Sequence, residues 1–158
     1  ALADMGASNT LQFNLSHSHG LVLYAMTRDR KIGIDLEHIR PTSDVEKLAE
    51  RFFSPRESAT ICSLPPTQKQ EAFFHAWTCK EAYLKAIGEG LAGLEQVEVS
   101  LVPGEPVRLL RTGEDSPASS RWSVQVLTPA PDYIAALAVE GQGWTLACWE
   151  IMNCDDQL

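Results

Sequence analysis

Long apolar runs are missing from this chain of 158 residues. No stretch approaches the roughly 18 residues that a membrane-crossing helix needs. The opening residues also lack the basic start and apolar centre of a secretory leader. Cysteines are few, and Cys62, Cys79, Cys148 and Cys154 show neither CxxC spacing nor a neighbouring histidine. That pattern argues against a zinc site and for reduced thiols in the cytoplasm. Positive charge is scarce too: 13 Lys and Arg face 21 Asp and Glu, for a net charge of −8. The deficit is concentrated late, since residues 91–158 carry 3 basic against 10 acidic side chains and residues 1–90 carry 10 against 11. Without a basic, aromatic-interleaved stripe the chain has no footprint for nucleic acid. An anionic ligand is better held by the near-neutral first part. What is present, 44% apolar and 22% charged residues, is the composition of one globular domain with a real core.

Residues 1–10 read as a linker, 11–152 as a single domain and 153–158 as a tail. Three extended segments come first, Leu11–Leu15, Leu21–Arg28 and Lys31–His38, with Asp29-Arg30 as a tight link that predicts a hairpin between the second and third. Three helix starts follow. Ser43 with Glu46, Ser54 with Glu57 and Thr67 with Gln70 each have capping-box spacing, and Pro55 sits at a favoured first position. The third helix is the long one, stopped by Gly88 and Gly90. Beyond Gly93 the period becomes two, in Val97–Leu101 and Trp122–Val126, while Tyr133–Val139 and Trp144–Ile151 read as buried strands. Arg111–Ser120 reads as an exposed loop. Strands, then helices, then strands predict an α+β fold, an antiparallel sheet packed against one long and two shorter helices.

Three segments could carry chemistry. In Lys31–His38, Gly33, Asp35 and Glu37 share one strand face, where two carboxylates repel unless a cation lies between them. Mg²⁺ accepts few carboxylate oxygens and completes its octahedron with water and phosphate. The competing reading is a solvated face on an edge strand. On the long helix, Phe73, Trp77, Leu84 and Ile87 form the apolar stripe, with Glu81 and Lys85 on one flank and Lys80 on the other. An ordinary surface ion pair would give the same spacing. In Phe13–Gly20, Ser16 and His17 stand in a polar cluster able to meet an anion or simply to form a turn. Glu57 belongs first to its capping box, and Trp77 with Phe52 and Phe53 to the core.

Four segments in this order, Phe13-Asn-Leu-Ser-His-Ser18, Gly33-Ile-Asp-Leu-Glu37, Arg51-Phe-Phe-Ser-Pro-Arg-Glu57 and Trp77-Thr-Cys-Lys-Glu-Ala-Tyr-Leu-Lys85 with Gly88-Glu-Gly90, resemble the 4′-phosphopantetheinyl transferase superfamily. The likeness is to the motif-bearing C-terminal half of its large, surfactin-synthetase-activating type, one half of a pseudo-twofold fold. It is strong over residues 11–93 and holds only in outline beyond.

The resemblance implies Mg²⁺-dependent transfer of the phosphopantetheine arm of coenzyme A to a serine of an acyl or peptidyl carrier protein, releasing 3′,5′-adenosine bisphosphate. It implies Asp35, Glu37 and Glu81 as metal ligands, and Lys80 and Lys85 as phosphate contacts, Lys85 also in catalysis. Ser16 and His17 would meet the adenosine 3′-phosphate end. Glu81 would be the base for the serine, with Glu57 the second candidate, and the loop near Gly88–Leu94 would help dock the carrier. It also implies a missing N-terminal half that completes the coenzyme A site. The carboxylates and lysine leave open a metal-dependent phosphohydrolase, and a lone half leaves open a non-catalytic carrier-binding fragment.

Overall fold

The structure is a computed structural model, and it describes residues 9–113 and 121–151. Most of the expected linker, the tail and the second part of the Arg111–Ser120 loop lie outside the described residues. In chain order the elements are β1 (Leu11–Ser18), β2 (Leu21–Arg28), β3 (Ile32–His38), α1 (Val45–Phe52), α2 (Pro55–Ser63), α3 (Pro66–Ile87), a 3-10 turn (Leu91–Gln96), β4 (Glu98–Val99), β5 (Leu109–Arg111), β6 (Trp122–Leu127) and β7 (Tyr133–Glu140). The fold is α+β with antiparallel pairing throughout, as the order of elements predicts.

The expected hairpin between the second and third strands does not form. β2 pairs with β1, and β3 pairs with β7 in the three-stranded order β3-β7-β6. The reason lies in the turn. His19 and Gly20 both take positive φ, 45° and 82°, the backbone that a two-residue hairpin loop requires. Asp29 also has positive φ, but its carboxylate accepts from the Thr10 amide and closes the hairpin's open end.

β1 meets β3 through side chains rather than a backbone ladder. Asn14 Oδ1, Ser16 Oγ and Ser18 Oγ accept from the amides of Ile34, Leu36 and His38 at 2.9, 3.1 and 3.3 Å. The hairpin is therefore polar inward on β1. Its apolar residues face out, with Phe13, Tyr24 and Met26 each about two-thirds exposed.

Of the three capping boxes only Ser54 and Glu57 form one. Glu46 pairs instead with Lys69 of α3, and Gln70 accepts from the Thr42 amide, so α1 and α3 start without those caps. Gly88 ends α3 in the left-handed conformation, as expected of its type. α3 is buried over much of its circumference, from Phe73 and Phe74 to Tyr83 and Leu84, and packs on the inner face of β3-β7-β6. β7 is buried from Ile134 to Val139, in agreement with its unbroken apolar run.

Trp144–Ile151 is not a buried strand. Trp144 packs against the small cluster of Ala25, Ile32, Ile34, Leu137 and Val139 and donates to Ser123 Oγ, but Trp149 and Ile151 are exposed. The segment pairs with no strand among the described residues. No described helix is long and apolar enough to cross a membrane.

Candidate functional site

The site exists because α3 crosses β3 at very short range. Gly33 faces α3, where a Cβ would collide with the Ala82 carbonyl oxygen and stand 2.6 Å from the Ala86 amide nitrogen. Only glycine allows that approach. Two and four residues later on the same strand face stand Asp35 and Glu37. Glu81 and Lys85 border Ala82 and Ala86 on the helix. The solvated-edge reading of the carboxylates is thereby excluded: Asp35 is 7% exposed and Glu37 is half-buried against the helix.

The electrostatics follow from that placement. Burial, then the charge of Glu37, push the Asp35 carboxyl up to about 7; Lys85 pulls it down, by more than the further push from Glu81. Glu37 and Glu81 are raised as well, chiefly by burial. The Trp77 indole N–H, donating to Glu37, and the charge of Lys85 act the other way on Glu37; Lys85 does so on Glu81 too. Lys85 Nζ also donates to the carbonyls of Leu15 at 3.0 Å and Ile34 at 2.6 Å, which fixes the cation between β1 and β3.

Asp35 Oδ2 and Glu81 Oε1 are buried with no hydrogen-bond partner. Such atoms are costly unless something else satisfies them. Hard, anionic oxygens of this kind suit Mg²⁺, which takes a few carboxylate oxygens and completes its shell with water and phosphate. Among the described residues no group of three or more His, Cys, Asp or Glu side chains is arranged to hold a metal ion by itself.

The remaining candidates divide. His17 is exposed on the outer face of β1. Ser16 is buried, and its Oγ holds the Leu36 amide between the two carboxylates. Lys80 and Glu57 do not join the cluster. Lys80 is fully buried, bonded to Glu57 Oε2 at 2.5 Å and lying 4.3 Å over the Phe53 ring, so it offers no ammonium to a phosphate here. Sequence reasoning assigned Trp77 to the core alone. Its ring does stack on Phe73 and meet Phe52 edge-on, yet its N–H serves Glu37. An indole within the same helical turn as Glu81 was the available signal.

The family model described as the 4′-phosphopantetheinyl transferase superfamily matches residues 31–138, well over half of the chain. The chain belongs to this superfamily. It is 52% identical to the 4′-phosphopantetheinyl transferase HetI of Nostoc sp. (strain PCC 7120) over 148 residues, 94% of this chain and 60% of that protein. With the 4′-phosphopantetheinyl transferase psf-1 of Bacillus pumilus it shares 32% over 150 residues, covering 94% and 61%. The chain thus spans about three-fifths of the length of these relatives. The crystal structure of a holo-(acyl-carrier-protein) synthase from Bacillus anthracis str. Ames in complex with CoA has a similar fold, with TM-score 0.51 and 21% identity over 71% of this chain and 96% of that one.

Proposed function

We propose that this chain is the metal- and pyrophosphate-binding part of a 4′-phosphopantetheinyl transferase, acting on coenzyme A and the serine of an acyl or peptidyl carrier protein in the cytoplasm. The observation that carries the reading is the convergence of Asp35, Glu37 and Glu81 with Lys85 where α3 crosses β3, with two buried carboxylate oxygens left unpartnered. HetI and psf-1 are named for this activity, and the Bacillus anthracis synthase is described in complex with CoA.

In the reaction the serine oxygen bonds to the phosphorus that carries the pantetheine arm. The bond from that phosphorus to the bridging oxygen breaks, and 3′,5′-adenosine bisphosphate leaves. Asp35, Glu37 and Glu81 would hold Mg²⁺, which when bound neutralises phosphate charge and polarises the phosphoryl oxygens. Lys85, tethered to two backbone carbonyls, sets a fixed positive charge beside them, so no reorganisation is needed as charge develops on the leaving group. Glu81 takes the serine proton. His17 meets the anionic adenosine end, while Ser16 works from beneath by holding β3.

The outward apolar face of the β1–β2 hairpin is the surface on which the rest of a longer chain packs, giving the coenzyme A site its second wall. Phe13 lies opposite Met26 and Leu15 opposite Tyr24, a contiguous row well suited to that role.

The test is mass spectrometry of an apo carrier protein incubated with the full-length protein, coenzyme A and Mg²⁺. The carrier should gain one phosphopantetheine per serine. Hydrolysed coenzyme A beside an unmodified carrier would identify a phosphohydrolase instead.

A further inference from the structure

We infer that Glu57 and Lys80 are a positioning pair, a buried strut that sets the rotation of α3 and so aims Glu81 at β3, and that neither touches substrate. This rests on the reading of the Asp35–Glu37–Glu81 cluster just given. One carboxylate ties three elements together. Glu57 Oε2 accepts from the Ser54 amide at 3.0 Å and from Lys80 Nζ at 2.5 Å, and Oε1 accepts from the Val99 amide at 2.8 Å. Ser54 and Glu57 begin α2, Lys80 lies mid-way along α3, and Val99 is in β4. The pair is sealed: the two side chains are 2% and 0% exposed, and the Phe53 ring lies beneath the ammonium.

Lys80 immediately precedes Glu81. Successive helical side chains diverge by about 100°, so fixing Lys80 toward α2 and β4 fixes Glu81 toward β3. A rotation of α3 that brought Lys80 to a phosphate would carry Glu81 away from Asp35. The same strut pins β4, which follows the turn after α3, to the helix that carries the site.

Removing one partner leaves a buried charge uncompensated, whereas neutralising both leaves no charge to satisfy. The experiment is therefore a cycle of Glu57→Gln, Lys80→Met and the double variant in the full-length protein, read by Mn²⁺ binding in electron paramagnetic resonance, by thermal melting and by transfer kinetics. Lys80→Met should melt lower and weaken Mn²⁺ binding about tenfold, and the double variant should recover to within about threefold of wild type. The KM for coenzyme A should stay unchanged in the double variant. Wild-type Mn²⁺ affinity in Lys80→Met, or a double variant no better than the worse single one, would overturn the inference.

A second measurement needs no variant. Acetic anhydride should leave Lys80 unmodified in the native protein, with or without coenzyme A, and modify it only on unfolding. Native labelling that coenzyme A blocks would make Lys80 a ligand contact. Labelling and Mn²⁺ binding do not depend on transfer, so an inactive wild type would defeat the proposed function without deciding the strut.

Discussion

Gly33 of β3 and Ala82 of α3 touch backbone to backbone, and no side chain fits between them. That contact brings a strand bearing two carboxylates against a helix bearing a third. Replacing Gly33 by Ala should force helix and strand apart, lowering stability by about 3 kcal/mol. Mn²⁺ binding should weaken in whatever fraction remains folded. Urea denaturation with parallel Mn²⁺ titration checks both effects.

Asp35 makes the metal-free protein sensitive to pH. Its carboxyl titrates at about 7 when folded, against 3.8 as the ordinary value, so the folded state holds a proton that the unfolded state has already lost. The stability this represents is fully present below the unfolded value and is lost as pH rises through the folded one. A rise of that size corresponds to about 4 kcal/mol. Melting temperature without metal should therefore fall between pH 4 and 7. In Asp35→Asn this part of the slope should vanish, and the variant should be the more stable protein at pH 7.5.

Trp77 holds down the titration of Glu37 through its indole N–H. Trp77→Phe keeps most of the ring packing and removes the donor, so Glu37 should titrate at higher pH. If metal binding needs Glu37 ionised, the acid limb of the transfer profile should shift upward, with about a tenfold loss at its original midpoint. An unmoved acid limb would place Glu37 outside the reaction.

Lys85 joins β1 to β3 through the Leu15 and Ile34 carbonyls while facing the carboxylates. Lys85→Met should lower transfer about 100-fold, as for loss of a fixed transition-state donor. The stability cost should be only about 1–3 kcal/mol for the two lost hydrogen bonds. Steady-state kinetics beside urea melts separate the two effects.

The carboxylates, the long helix with its Gly88 stop, the Ser54–Glu57 cap and β7 were all legible in the sequence, because each depends on local spacing or local backbone chemistry. The strand partners were not. Period two shows which residues of β2 share a face, but His19 at positive φ, a conformation uncommon outside glycine, decided that β2 returns to β1. Two expected capping boxes failed because Glu46 and Gln70 found tertiary partners that no local pattern encodes. Lys80 looked like a free cation on the helix flank. Its partner Glu57 lies 23 residues earlier, and only the packing of α2 on α3 brings them together. Trp144–Ile151 misled because an apolar run reports a tendency to be covered and does not say by what.

Metal held by the three carboxylates against the pyrophosphate of coenzyme A is the central proposal. Calorimetric titration of coenzyme A into the full-length protein, with and without Mg²⁺, measures this directly. In the wild type Mg²⁺ should tighten binding by about tenfold or more, equivalent to about 1.4 kcal/mol. In Asp35→Asn that tightening should disappear while metal-free binding is retained. The same Mg²⁺ dependence in both proteins would contradict the account.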